Sequence, residues 1–196
     1  MWVTIALIPI GYLLGTFPSA TLVARARGVD ITREGSGNPG ASNVIRVLGW
    51  KVGAVVMLAD FAKGAAAAGI GLAAGGRAGA YVVGIAAVVG HTYPFGRKGG
   101  KGVAAAGGML VVLFPLIALA LALVWVVVSK LTHKASVGSL VVIVAFPCTV
   151  AALGYAGWEV GVLATIAALL VLRHAANIRR LVTRAEHNLT SHGGGR

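Results

Sequence analysis

Two Gly-rich, polar segments carry most of the residues in this chain that could do chemistry. The first is Gly35-Ser-Gly-Asn-Pro-Gly-Ala-Ser-Asn43, and the second is Gly90-His-Thr-Tyr-Pro-Phe-Gly-Arg-Lys-Gly-Gly-Lys-Gly102. Glycines expose backbone N–H groups, and neighbouring hydroxyls, amides and cations add donors and positive charge, a combination that favours a bound phosphate. The two segments therefore predict an anion-binding site.

Nucleotide-binding motifs do not account for these segments. Gly35-Ser-Gly-Asn-Pro-Gly40 has the GxGxxG spacing, but the dinucleotide fingerprint needs a strand before it and a βαβ unit around it, whereas this segment follows an apolar run. In the second segment Gly102 follows Lys101, where a nucleotide P-loop requires Ser or Thr. Two plainer interpretations stay open: a tight turn between helices for the first segment, and positive charge flanking a membrane helix for the second.

Further polar residues occur at the ends of apolar runs or inside them. Asp60 and Lys63 lie three apart on one predicted helical face, so they can pair, as either a structural or a functional ion pair. Ser139 lies near the start of a later run, and His174 and Asn177 follow the last one. We expect these residues to converge with the two Gly-rich segments, although a lone His at a helix C-terminus often serves only as a cap.

Composition places the chain among integral membrane proteins. Its 196 residues are 58% hydrophobic, the mean hydropathy is +0.88, and several apolar runs approach the length of a membrane span. The formal net charge of +12 comes from Lys and Arg that mostly flank these runs, which predicts contact with membrane lipid and not with nucleic acid. Cys148 is the single cysteine, and we expect no disulfide, no metal and no cofactor.

Six apolar runs are separated by polar segments, four of which are basic. The runs cover residues 2–24, 52–74, 78–90, 103–128, 137–155 and 158–172, and the basic segments are 25–51, 92–102, 129–136 and the tail from Arg173. Ala, Leu and Gly dominate without strand-type alternation, so the runs are predicted to be helices. Basic segments collect on the cytoplasmic side of a membrane, so all four should share one face.

This shared face requires the run at 103–128 to turn back, because it lies between two basic segments. Pro115 at its centre favours a break into two short helices. We therefore predict an all-α integral membrane protein with about seven transmembrane helices, the N-terminus outside and the C-terminus cytoplasmic. The alternative is six helices that each cross the membrane once, with one basic loop on the opposite face. Residues 1–189 should form a single membrane-embedded domain, and 190–196 a disordered tail or a cloning remnant.

Four motifs in order resemble the bacterial PlsY glycerol-3-phosphate acyltransferases. They are GSGNPGASNVIR from Gly35, DFAKG from Asp60, GHTYP followed by KGGKG, and RHAANIRRL from Arg173. The resemblance implies transfer of a fatty acyl group from acyl-phosphate to the 1-hydroxyl of sn-glycerol-3-phosphate, giving lysophosphatidic acid and inorganic phosphate. It also implies a multi-pass protein of the bacterial inner membrane whose active site faces the cytoplasm.

The resemblance also assigns roles to residues. It implies catalytic roles for Ser36, Arg46, Lys101 and His174, and substrate binding by Gly37, Asn38, Asn43, Lys98, Ser139 and Asn177. The general base stays open between His174 and the phosphate of the bound substrate. Two other functions compete. An organophosphate transporter is disfavoured because no internal repeat is visible, and a structural lipid-binding protein leaves the His, Ser and Asn positions unexplained.

Overall fold

The computed structural model describes residues 2–189 of the chain, which form helices joined by short turns and by two longer loops, residues 26–40 and 93–102. In order, the helices are α1 (Trp2–Ala6), α2 (Ile8–Thr16), α3 (Ser19–Arg25), α4 (Ala41–Leu48), α5 (Trp50–Thr92), α6 (Val103–Leu113), α7 (Pro115–Thr132), α8 (Ala135–Ala152), α9 (Gly157–Arg173) and α10 (Ala175–Val182). Helix α4 begins at Ala41, within the first Gly-rich segment.

The helices have the length and surface of membrane spans. Within residues 2–189, four helical stretches, Trp2–Arg25, Trp50–Thr92, Pro115–Thr132 and Ala135–Ala152, are long and apolar enough to cross a bilayer, and the pair α9 and α10, bent by 59°, is a fifth candidate. Leu116 on α7 is 81% exposed and Leu123 is 65% exposed. Large apolar surfaces of this kind are stable against lipid and not against water. The predicted all-α integral membrane fold is therefore confirmed.

Helix α5 is two helices joined by a sharp turn. Its 43 residues would reach about 65 Å if straight, twice the hydrocarbon thickness. The chain reverses at Gly75 and Gly76, and Gly76 has φ of 62°, a conformation that favours glycine. Gly71 packs on the backbone of Gly79, so the two arms, residues 50–74 and 77–92, run antiparallel. The separate runs predicted at 52–74 and 78–90 are thereby confirmed.

The first apolar run differs from its prediction as one helix. It contains α1, α2 and α3, with breaks at Leu7 and at Phe17 and Pro18. Pro18 has no N–H to continue the hydrogen-bond ladder, so the last carbonyls of α2 need other donors. Arg97 Nη2 donates to the Thr16 carbonyl at 3.0 Å, and Lys63 Nζ donates to the Phe17 carbonyl at 3.1 Å. Two cations thus stabilise the break and offset the negative end of the helix dipole.

The predicted break at Pro115 is confirmed, but the two arms are unequal. Helix α6 ends at Leu113 after 11 residues, about 16 Å, and α7 begins at Pro115 and continues for 18 residues to Thr132. The expectation that both helices would be short was wrong for the second one. The apolar sequence of α7 supports a helix until His133, which adopts a left-handed conformation. The reversal of this run, the number of spans and the orientation of the termini stay predictions.

The chain divides into two compact units, one ending at Leu113 and the other formed by Phe114–Asn188. In the first unit, a buried cluster of Ala20, Ala24, Ile31, Val44 and Val56 joins α3, α4 and α5 to the loop between α3 and α4. In the second unit, the Phe114 ring makes edge contacts with Phe146 and Tyr155. A single domain over residues 1–189 stays a prediction, and the predicted tail at 190–196 lies outside the described residues.

Candidate functional site

Asn43 organises the first Gly-rich segment from within. Its side chain is buried, and its amide nitrogen donates to the carbonyls of Ile31 at 3.2 Å and Glu34 at 2.9 Å. Its carbonyl oxygen accepts the backbone N–H of Ser36 at 2.9 Å. An asparagine amide has two donors and one acceptor oxygen, so these bonds occupy most of its capacity. Asn43 therefore holds the loop in shape, and the substrate binding that the resemblance implies for it stays a prediction.

Ser36 and Arg46 are brought together by this same amide. Arg46 Nη1 donates to Asn43 Oδ1 at 3.1 Å, and Oδ1 also accepts the Ser36 N–H. Arg46 reaches that oxygen from the second turn of α4, because α4 begins at Ala41 directly after the loop. Ser36, Gly37, Asn38 and Arg46 are all partly exposed, as ligand-contacting groups must be.

The two Gly-rich segments meet at Lys98. Its ammonium nitrogen lies 3.5 Å from the position that a Cβ atom would occupy at Gly37, a residue with φ of 64°. Lys98 is exposed and Lys101 is half-buried. Segments some sixty residues apart in the sequence thus place a lysine beside a glycine backbone, the arrangement that the phosphate-site prediction requires.

Asp60 is the centre of a buried polar cluster beneath the second segment. Lys63 Nζ lies 2.9 Å from Asp60 Oδ1, as the spacing predicted, and the Ser19 hydroxyl donates to the same oxygen. His91 Nδ1 lies 3.7 Å from it. Ser19 and His91 were not predicted as partners of Asp60, because they come from other helical segments and their approach depends on the tertiary fold.

His91 connects this cluster to the Lys98–Gly102 loop. The Gly100 N–H donates to the His91 carbonyl at 3.0 Å. A Cβ atom at Gly100 would collide with the His91 imidazole, so only glycine permits this contact. The glycines of the second segment thus pack the loop onto a buried side chain as well as exposing backbone donors.

A cavity of about 360 Å³ opens in the first unit beside Lys98. Lys63 and Lys98 are the predicted site residues that line it, whereas Ser36, Arg46 and Lys101 do not. Its remaining polar lining comes from two residues of the second Gly-rich segment, His91 and Arg97, and from residues that no sequence motif indicated: Thr16, Ser19, Thr21, Arg25 and Thr32. The breaks at Phe17 and Pro18 expose this part of the first apolar run.

In the second unit, Glu186 is the hub of a polar cluster that sequence reasoning missed. Its carboxylate accepts hydrogen bonds from the Ser136 hydroxyl at 2.9 Å, the Asn177 amide at 2.6 Å and Arg180 Nε at 2.8 Å. Burial alone would raise the pKa of Glu186, but these three donors outweigh it and hold the pKa below its ordinary value. The sequence contained one indication that Glu186 matters: it is one of only five acidic residues in the chain.

The Glu186 cluster fixes the orientation of Asn177. The amide nitrogen of Asn177 is committed to Glu186, so its Oδ1 points elsewhere, and this buried oxygen finds no donor among the described residues. A buried acceptor left without a donor is costly, by about 1 to 3 kcal/mol. A hydroxyl-bearing ligand would remove that cost. Among the predicted site residues of this unit, Asn177 is thus the one whose buried acceptor oxygen has no hydrogen-bond donor among the described residues.

His174 and Ser139 also have defined hydrogen bonds within the second unit. His174 is buried at the bend between α9 and α10, and its Nδ1 lies 2.8 Å from the Leu170 carbonyl. A carbonyl can only accept, so Nδ1 carries a proton and Nε2 is the atom that can take one up. The Ser139 hydroxyl donates to the Ala135 carbonyl at 2.8 Å and accepts from Trp125 Nε1 at 3.1 Å. In this arrangement Ser139 can accept one more hydrogen bond but donate none.

Comparison with known proteins agrees with these features. A sequence model of the glycerol-3-phosphate acyltransferase family matches residues 5–184. The chain belongs to the glycerol-3-phosphate acyltransferase family. A family member from Myxococcus xanthus is 45% identical, over 93% of this chain and 98% of its own length. One from Aquifex aeolicus is 40% identical, over 92% of this chain and 96% of its own.

The fold of this family member also matches solved structures. PlsY, an integral membrane glycerol 3-phosphate acyltransferase, was crystallised in a glycerol 3-phosphate form that superposes with a TM-score of 0.89, at 37% identity and 95% coverage of both chains. Its lysophosphatidic acid form superposes with a TM-score of 0.87. The resemblance inferred from four sequence motifs is thus confirmed.

Proposed function

We propose that this protein transfers a fatty acyl group from acyl-phosphate to the 1-hydroxyl of sn-glycerol-3-phosphate, in a bacterial inner membrane and at a site facing the cytoplasm. The family supports acyl transfer to glycerol-3-phosphate. The observation that carries the proposal is the meeting of the two Gly-rich segments at Gly37 and Lys98. Both substrates carry a phosphate group, and this junction places the Lys98 ammonium beside the loop that carries the Ser36 hydroxyl and the Asn38 amide.

The phosphate-binding roles go to the cations nearest these glycines. Arg46, held beside Ser36 by Asn43, can present a planar fork to phosphate oxygens, and Lys101 and Lys98 supply compact positive charge. Ser36 and Asn38 add hydroxyl and amide donors, and Gly37, whose N–H donates to the Glu34 carbonyl, leaves room for the Lys98 ammonium because it has no side chain. Acyl-phosphate already carries a good leaving group, so the protein must mainly orient the substrates and stabilise developing negative charge.

The reaction joins the glycerol hydroxyl oxygen to the acyl carbon and breaks the bond from that carbon to phosphate. The hydroxyl proton must be taken up as the bond forms, by Nε2 of His174 or by the phosphate of the bound substrate. Asn177 Oδ1 is proposed to accept a glycerol hydroxyl, because it is buried without a donor among the described residues. Ser139 can accept a second hydroxyl on its remaining lone pair.

The experiment is release of inorganic phosphate by protein purified in detergent. Given acyl-phosphate and glycerol-3-phosphate together, the protein should release phosphate and form lysophosphatidic acid in equal amounts. Either substrate alone should give only background. The Lys101→Ala variant serves as a control for a contaminating phosphatase. A transporter or a structural lipid-binding protein would show no turnover in any of these mixtures.

A further inference from the structure

The loop at 93–102 begins at a level inside the membrane. Helix α5 reverses at Gly75–Gly76, and from that turn its second arm, residues 77–92, extends about 24 Å, whereas its first arm, residues 50–74, extends about 37 Å. The second arm therefore ends about 13 Å before the level of Trp50, and it is shorter than a hydrocarbon core about 30 Å thick.

Contacts at both ends of the loop give the same depth. Just before the loop, His91 Nδ1 lies 3.7 Å from Asp60 Oδ1, and Asp60 is about 15 Å along the first arm from Trp50. Just after the loop, Gly64 of that arm packs against the backbone of Ala105 in α6. The chain thus leaves α5 and enters α6 beside the middle of the first arm, which is the part of a spanning helix that lies in the hydrocarbon core.

The loop is attached to the side of α2 through a short turn. Tyr12 Oη donates to the Tyr93 carbonyl at 2.8 Å, and Arg97 Nη2 donates to the Thr16 carbonyl at 3.0 Å. Between these two bonds, the Phe95 ring makes an edge contact with the Tyr12 ring, with 5.2 Å between the ring centroids. Because α2 belongs to the first candidate membrane span, the Phe95 ring is held against a membrane helix.

This turn has a polar side and an apolar side. Pro94, Arg97 and Lys98 line the cavity described above, whereas Phe95 does not. Phe95 is 82% exposed, and Leu13, the neighbour of Tyr12 on α2, is 62% exposed. Large apolar side chains exposed at this depth, outside the polar cavity, are stable against lipid and not against water.

We propose that Phe95 is a lipid-contact residue, whose ring inserts among the acyl chains of the bilayer lipids beside α2. The acyl-chain region is the occupant that matches this surface, because the surface continues the membrane-facing side of α2 and the cations of the turn line the cavity instead. Phe95 and Tyr12 would then separate the polar cavity from the lipid. The proposal goes beyond the proposed reaction and does not depend on it.

The test measures the membrane depth of a spin label at position 95. Phe95→Cys, Leu13→Cys and Arg33→Cys are made in a Cys148→Ala background, labelled, and reconstituted in phosphatidylcholine nanodiscs. Leu13 is the lipid-facing reference, and Arg33, with a side chain that is 85% exposed in the loop at 26–40, is the matched loop control. Collision rates are measured by electron paramagnetic resonance with oxygen, which concentrates in hydrocarbon, and with a polar nickel chelate, which stays in water.

The ratio of oxygen to nickel accessibility at position 95 should resemble that at position 13. It should exceed the ratio at position 33 at least about fivefold, because hydrocarbon excludes the polar chelate. A ratio at position 95 equal to that at position 33 would overturn the proposal, since the loop would then lie in water. Low accessibility to both reagents with spin–spin broadening would also overturn it, because a second copy of the chain would then cover Phe95.

A second variant keeps an aromatic ring at this position. Phe95→Trp should add fluorescence, beyond that of the four native tryptophans, that phosphatidylcholine brominated on its acyl chains quenches. Arg33→Trp should add fluorescence that these lipids do not quench. Equal quenching of the two added signals would contradict lipid contact by Phe95. Failure of the proposed reaction is a separate result, since it would appear as absent turnover and would leave both measurements unchanged.

Discussion

At the scale of single residues, the proposed reaction depends most on Arg46 and Lys101. We expect Arg46→Ala and Lys101→Ala each to lose at least a hundredfold in kcat/KM, of the order seen when one group that holds developing charge is removed. Both proteins should insert into the membrane and melt within a few degrees of wild type, because a partly exposed cation contributes about 1 kcal/mol or less to stability. Phosphate-release kinetics and thermal melting in detergent measure the two effects.

Conservative and control variants sharpen that comparison. Lys101→Arg should recover only part of the activity, because a planar guanidinium does not reproduce a compact ammonium. Arg27→Ala removes an exposed cation that donates only within its own helix end, to the Val23 carbonyl, and should stay near wild type. Equal activity in all the alanine variants would assign the basic loops to membrane topology and move the reaction site elsewhere.

Glu186 leads to a pH-dependent prediction. Its carboxylate is held ionised by Ser136, Asn177 and Arg180, so its pKa is lowered in the folded state. A lowered pKa means that its stabilising effect is present above the ordinary carboxyl pKa of about 4 and is lost as the pH falls through the folded value. Glu186→Gln should therefore melt several degrees below wild type at pH 7, and this gap should narrow below about pH 4.

Glu34→Gln is the matched control, because the Glu34 side chain is exposed. It should melt like wild type at every pH. A gap between Glu186→Gln and wild type that stayed constant from pH 7 to pH 3 would contradict the ionised hub.

At the scale of helices, the turn in α5 depends on one glycine conformation. Gly76 has φ of 62°, which side chains with a Cβ rarely adopt. Gly76→Ala should lower the melting temperature in detergent through about 1 to 2 kcal/mol of backbone strain. Gly69 lies in the preceding arm of the same helix, and a Cβ there would contact nothing within 4 Å. Gly69→Ala should leave the melting temperature unchanged or raise it, because alanine favours helices. Equal changes in melting temperature for Gly76→Ala and Gly69→Ala would argue against the turn at Gly76.

Sequence patterns predicted these helices better than they predicted the polar contacts. The apolar runs and Pro115 located most helix ends, because those signals are local. The breaks at Leu7 and Phe17 in the first run were missed, since a membrane helix can tolerate proline when neighbours supply donors. Those donors, Arg97 and Lys63, come from distant parts of the chain.

The candidate site shows the same limit. Ser36, Arg46 and Lys98 were selected from residue type and spacing, but the contacts that hold them were not. Asn43 was selected for substrate binding, which stays a prediction, and its hydrogen bonds to Ile31, Glu34 and Ser36 were not predicted. Glu186 was passed over as part of a polar tail. Hydrogen-bond partners depend on the tertiary fold, which a local pattern does not encode.

At the scale of the whole molecule, this membrane protein has buried polar hubs in each of its two units. Asn43 and Asp60 order the first unit, and Glu186 orders the second. Each hub joins segments that carry predicted site residues to buried parts of the same unit.

The most direct test of the account is the choice of acyl donor by the purified protein. No recognisable adenine-nucleotide motif occurs in the sequence. With glycerol-3-phosphate present, acyl-phosphate should therefore yield lysophosphatidic acid and acyl-CoA alone should not, with the products followed by mass spectrometry. Turnover with acyl-CoA from which acyl-phosphate has been rigorously removed would contradict the central claim, as would failure to use acyl-phosphate at all.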